Sequence, residues 1–61
     1  MMNSIIEYKN FLGTIEFSKE KNIFHGRVLN IKVELTYEGN TKDELIINFQ
    51  NTIDDYLDLF A

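Results

Sequence analysis

The stretch Thr41-Lys42-Asp43-Glu44-Leu45-Ile46-Ile47-Asn48-Phe49-Gln50-Asn51-Thr52-Ile53-Asp54-Asp55-Tyr56-Leu57-Asp58-Leu59-Phe60 decides how the rest of this chain is read. Thr41 is a good N-cap, and Glu44 three residues later completes a capping box. Asp43 and Glu44 face the positive end of the helix dipole. Leu45, Ile46, Phe49, Ile53, Tyr56, Leu57 and Phe60 recur at helical spacing, within about a 120° arc of the helical wheel. A helix with one such stripe needs an apolar surface to lie on, and the preceding residues supply it.

Working back from Thr41, Glu38-Gly39-Asn40 is a break. Before it, Ile31, Val33, Leu35 and Tyr37 alternate with Lys32, Glu34, Thr36 and Glu38, the period of a half-buried strand. A turn near Leu29–Lys32 separates this strand from another over Ile23–Asn30. Ser18-Lys19-Glu20-Lys21-Asn22 is polar and reads as a hairpin loop. Segment 5–17 is rich in β-branched and aromatic residues, and from Phe11 it alternates Phe11, Gly13, Ile15 and Phe17 against Leu12, Thr14 and Glu16. The expectation is a single α+β domain over residues 1–61, ordered β-β-β-α, with a three-stranded antiparallel sheet followed by one C-terminal helix. A loop centred on Lys19–Lys21 sets Phe17 against Phe24, Ile15 against Gly26 and Gly13 against Val28. The other face then pairs Glu16 with His25 and Thr14 with Arg27. Each glycine opposite a bulky residue leaves room for the helix to approach.

Composition bounds the rest. The chain has 61 residues, no cysteine and no proline. A domain this small buries only about 60% of the surface its unfolded chain exposes, and without disulfides or metals such scaffolds often complete their core on a partner. No apolar run approaches the roughly 20 residues that span a bilayer, and no signal peptide is recognisable, so a cytoplasmic protein is expected. The net charge of −4 lies entirely in 41–60, which hold Asp43, Glu44, Asp54, Asp55 and Asp58 against Lys42 alone. Direct nucleic-acid binding needs clustered Lys and Arg, absent here. A basic protein partner suits the balance better.

The blocks Tyr8-Lys9-Asn10-Phe11-Leu12-Gly13-Thr14-Ile15-Glu16-Phe17, Ile23-Phe24-His25-Gly26-Arg27-Val28, Thr36-Tyr37-Glu38-Gly39-Asn40-Thr41, Glu44-Leu45 with Phe49, and Ile53-Asp54-Asp55-Tyr56-Leu57 resemble, in order and spacing, the HicB-like antitoxin family. The resemblance runs from Tyr8 to Leu57. It implies a partial ribonuclease H-like fold without the metal-binding carboxylates of the true enzyme, hence no ribonuclease activity. Family members typically neutralise a small basic toxin of the HicA type, which cleaves RNA, and many repress their own operon through a C-terminal DNA-binding module. The sequence ends at Ala61, so that module and the later strand of the family are expected to be missing. Asn10 stands where the family commonly has glycine, and Val33-Glu34 where it usually has an Asp–Leu pair.

The chemistry-bearing residues point away from catalysis. His25 is the one histidine; it has neither a nucleophile nor metal partners at usable spacing, and reads plainly as a surface strand residue beside Glu16. Asp54 and Asp58 stack like charges four residues apart, and Asp58 sits where the helix dipole prefers cations. Ile47 lies between them on the wheel, outside the buried stripe. The plain reading is a solvated acidic face; the functional one is a docking patch. Candidate partner-binding residues are Asp54, Asp55, Asp58 and Ile47, then Glu16 and Glu34, with no catalytic, metal or cofactor residues. Leu12 and Leu29, with Thr14, His25 and Arg27, form a mixed sheet face suited to a homodimer, and the sheet edges offer strand addition. The expected function is non-catalytic inhibition of a basic toxin ribonuclease. The alternative is a phage or mobile-element inhibitor of a host defence nuclease, CRISPR-directed or other, acting by acidic mimicry of nucleic acid.

Overall fold

The computed structural model describes residues 4–60. The elements are β1 (Ser4–Tyr8), β2 (Phe11–Ser18), β3 (Ile23–Arg27), β4 (Thr36–Gly39) and α1 (Lys42–Phe60). The strands form one antiparallel meander in the order β1-β2-β3-β4, with α1 packed across one face.

The sheet has four strands, not the three expected from the sequence. Segment 5–17 is two strands, because Lys9 and Asn10 take positive φ values of 52° and 71° and reverse the chain in two residues. Two successive left-handed residues make the type I′ turn, whose twist matches that of the strands it joins. Asn tolerates this conformation; Lys rarely adopts it, which is why the turn is hard to see in the sequence.

The alternating run 31–38 is also shorter as a strand than it reads. Only Thr36–Gly39 pairs with β3, setting Thr36 opposite Arg27 and Gly39 opposite Phe24. The strand expected over Ile23–Asn30 stops at Arg27, and Val28 makes an isolated bridge to Gly13. Asn30, at φ 62°, turns the chain, and residues 29–35 cross over without regular structure. Ile31 and Leu35 still pack against the core while Val33 is exposed, so the alternation reports burial in a connection as well as in a strand. The Val28 amide donates to the Leu35 carbonyl at 3.0 Å and the Leu29 amide to the Leu12 carbonyl at 2.8 Å, which fixes the connection at both sides.

The β2–β3 register agrees with the sequence reading: Glu16 faces His25, Phe17 faces Phe24, and Gly13 faces Val28. The capping box also forms. The Glu44 amide donates to Thr41 Oγ1 at 3.1 Å, while Glu44 Oε1 accepts from the Asn40 amide at 2.6 Å, one residue upstream of the N-cap.

Leu45, Phe49 and Ile53 are fully buried, and with Val28 and Tyr37 they make up the core. Their approach requires glycine. A Cβ at Gly13 would meet the Tyr37 hydroxyl and the Phe49 ring, and one at Gly39 would meet the backbone of Leu45. Tyr56 and Leu57 continue the stripe at its margin, with Phe11 edge-on to Tyr56 at 5.8 Å. Phe60, expected on the same stripe, is 67% exposed and rests on Tyr56 instead.

Candidate partner-binding face

The helix presents its outer ridge opposite Leu45, Phe49 and Ile53. Glu44, Ile47, Asn51, Asp55 and Asp58 follow at steps of three or four residues, and all five are exposed. Ile47, between Glu44 and Asn51 on this ridge, exposes 57% of its surface. No basic residue lies in the last turn of α1, so Asp58 sits at the negative end of the helix dipole without a compensating cation there, and Asp55 lies just before that turn. The one ion pair among the described residues does not involve them.

That ion pair belongs to Asp54. Lys9 Nζ donates to Asp54 Oδ1 at 2.8 Å, and the Tyr8 hydroxyl donates to Asp54 Oδ2 at 3.3 Å. The ammonium also lies 5.2 Å from the centre of the Tyr8 ring. Both oxygens of Asp54 are thus used to fasten the β1–β2 turn to the helix. The hydrogen bond from Lys9 holds the Asp54 carboxyl below its ordinary 3.8, and the same contact raises Lys9 above its ordinary 10.5. Asp54 and Asp58, read as a like-charged pair, therefore differ: one is neutralised from the sheet, the other faces solvent.

The six residues singled out from the sequence do not form one surface. Asp55, Asp58 and Ile47 share the outer ridge, with Asp54 on the flank turned toward β1. Glu16 alternates with Ile15, which packs on the core, so Glu16 points from the sheet face opposite the helix. Glu34 is exposed in the connection between β3 and β4. Glu44, which sequence reasoning used only as a cap, belongs on the ridge; its three-residue step to Ile47 is the signal that could have found it.

On the far sheet face the register lines up Glu16, His25 and Glu38 across β2, β3 and β4. Sequence reading pairs Glu16 with His25 but not His25 with Glu38, because the irregular connection 29–35 hides the register of β4 on β3. Among the described residues, no group of three His, Cys, Asp or Glu side chains is arranged to hold a metal ion, and no helix is long and apolar enough to cross a membrane.

No family model, no curated protein and no solved structure matches the chain. Function therefore rests on the residues themselves: a helix laid on a small sheet, carrying an acidic ridge without ion pairs among the described residues and one exposed apolar residue on it.

Proposed function

We propose that this chain is a non-catalytic, antitoxin-like inhibitor that acts in the cytoplasm. It binds a basic, RNA-cleaving toxin of the HicA type through the outer ridge of α1 and occludes the toxin's active face. The observation that carries this reading is the ridge itself. Exposed Glu44, Asp55 and Asp58 share one helix face with exposed Ile47, which lies about one turn from Glu44 and about two turns from Asp55, and none of the acids has an ion-pair partner among the described residues. Acids at the C-terminal end of a helix work against its dipole. Such locally unfavourable arrangements tend to mark functional surfaces. The motif blocks between Tyr8 and Leu57 support the choice of partner.

In this mechanism the ridge steers the encounter with a cationic surface, and Ile47 supplies an apolar anchor that is desolvated on contact. Asp54 has a supporting role: held by Lys9 and Tyr8, it ties the helix to the β1–β2 turn. The direct test is RNA cleavage by a HicA-type ribonuclease titrated with the purified chain. Stoichiometric loss of cleavage is expected, together with a complex whose formation slows as salt rises. Unimpaired cleavage at saturating inhibitor would remove this reading.

A further inference from the structure

We propose that the outer edge of β1 pairs antiparallel with β1 of a second copy of this chain, about a two-fold axis passing by Ile6. The two edges of the sheet are unlike. The β4 edge is occupied by its own helix: Asn48 Nδ2 donates to the Glu38 carbonyl at 2.6 Å, and the first turn of α1 sits tightly against Gly39. The β1 edge has no such cover among the described residues. Its sequence, Ser4-Ile5-Ile6-Glu7-Tyr8, carries a single charge, Glu7, and lacks the lysine, proline or bulge with which edge strands usually block association. Ile5, on the face away from the helix, is 53% exposed.

The hydrogen-bond pattern limits the register to axes that pass through a residue, and charge narrows it further. The two-residue turn at Lys9-Asn10 makes Tyr8 and Phe11 the closing hydrogen-bonded pair. Alternation then turns the amide groups of Ser4, Ile6 and Tyr8 toward β2, and those of Ile5 and Glu7 outward. Antiparallel pairing centred on Ile6 sets Ile5 of each copy opposite Glu7 of the other. Both outward residues then exchange hydrogen bonds, about four across the junction, and Ile6 meets its counterpart on the helix-covered face. The aliphatic stem of Glu7 covers exposed Ile5, and no like charges are opposed. Centring on Glu7 instead would oppose two carboxylates, which is unfavourable. The product is one continuous sheet with both helices on the same face, and it leaves both acidic ridges outward.

The test is the mass in solution, by sedimentation velocity and light scattering, with circular dichroism to confirm folding. The unaltered chain is expected at twice its 7.2 kDa. Ile5→Glu sets a new carboxylate against Glu7 of the other copy, and the dimer dissociation constant should rise at least about tenfold. Ile5→Lys sets unlike charges together and should stay dimeric. Ile5→Glu with Glu7→Lys should restore the pair. If Ile5→Glu fails to fold, Ile5→Lys with Glu7→Lys provides the same repulsion with the sign reversed. An unaltered chain that remains at 7.2 kDa over the whole concentration range, or pairs only with an extended peptide of another protein, overturns the proposal. So does an Ile5→Glu chain that stays dimeric, or a double variant that does not recover.

Discussion

The Tyr37 hydroxyl donates to the Thr14 carbonyl at 2.8 Å, and by doing so repairs a gap between β2 and β3. At this point the Arg27 amide donates to Thr14 Oγ1 at 3.1 Å and the regular pairing of the two strands lapses. The released carbonyl would be an unpaired acceptor in the interior. Tyr37 reaches it from β4 across Gly26, and also lies 3.2 Å from the Arg27 carbonyl. Tyr37→Phe keeps the ring against Phe49 but strands that acceptor. It should lower unfolding free energy by about 1–3 kcal/mol, measured by urea denaturation.

The same tyrosine predicts an alkaline limit. Burial raises Tyr37 from its ordinary 10.0 to about 12, so the neutral phenol is favoured in the folded state. A folded value above the unfolded one gives stability that is complete below pH 10.0 and is lost as pH rises toward about 12. Urea midpoints should fall across this window in the unaltered chain and fall less in Tyr37→Phe. Parallel curves would show that some other group carries the alkaline loss.

The glycines make a graded prediction. The obstacle to a Cβ at Gly26 is the Thr14 carbonyl, which is backbone; at Gly13 it is the Tyr37 hydroxyl and the edge of the Phe49 ring. Side chains yield more easily than backbone, so Gly26→Ala should cost more than Gly13→Ala. Both should fall at or above the roughly 1–3 kcal/mol typical of overpacking. Thermal midpoints of the two variants, measured side by side, check the order.

Asp54 and Lys9 should act as a pH-bounded clasp. Asp54 is held below 3.8, so its contribution is present above that value and is lost as pH falls through the lowered one. Lys9 is raised above 10.5, so its contribution is present below that value and lost as pH rises through the raised one. Amide exchange in the β1–β2 hairpin is the readout. It should quicken in Asp54→Asn at neutral pH, with little change in global stability, because the pair is exposed to solvent.

Charge reversal separates the ridge from the clasp. Asp55→Lys with Asp58→Lys should slow association with a basic ribonuclease by about tenfold or more at low salt, without altering the fold. The effect should shrink as salt rises. Asp54→Asn should change the association rate far less, since its charge is already answered by Lys9. Equal association rates for all three proteins would reduce the ridge to a surface without a partner.

Much of the architecture could be read where local rules agreed. Thr41 and Glu44 marked the start of the helix, and Leu45, Phe49 and Ile53 marked its inner face. The polar run between Phe17 and Phe24 fixed the pairing of β2 with β3. The failures share a cause: each needed a contact distant in sequence or a conformation unusual for its residue. Lys9 in a left-handed conformation hid the β1–β2 turn. Ile31 and Leu35 imitated a strand because both face the core from an irregular connection. The tie between Lys9 and Asp54 joins residues 45 apart, and no short-range pattern foretells it. For the ridge, helical spacing grouped Asp54, Ile47 and Asp58, of which Asp54 turns instead to Lys9 and Tyr8; Asp55, Glu16 and Glu34 were added by charge alone, which carries no information about faces.

All three fully buried helix residues come after every strand in the chain. During synthesis the meander can therefore pair hairpin by hairpin, neighbour with neighbour, but its greasy side stays bare until Ile53 has left the ribosome. Until then the nascent chain is a sticky half-product, open to proteases and to unwanted association. Its last third closes the domain and displays the acidic ridge in the same event.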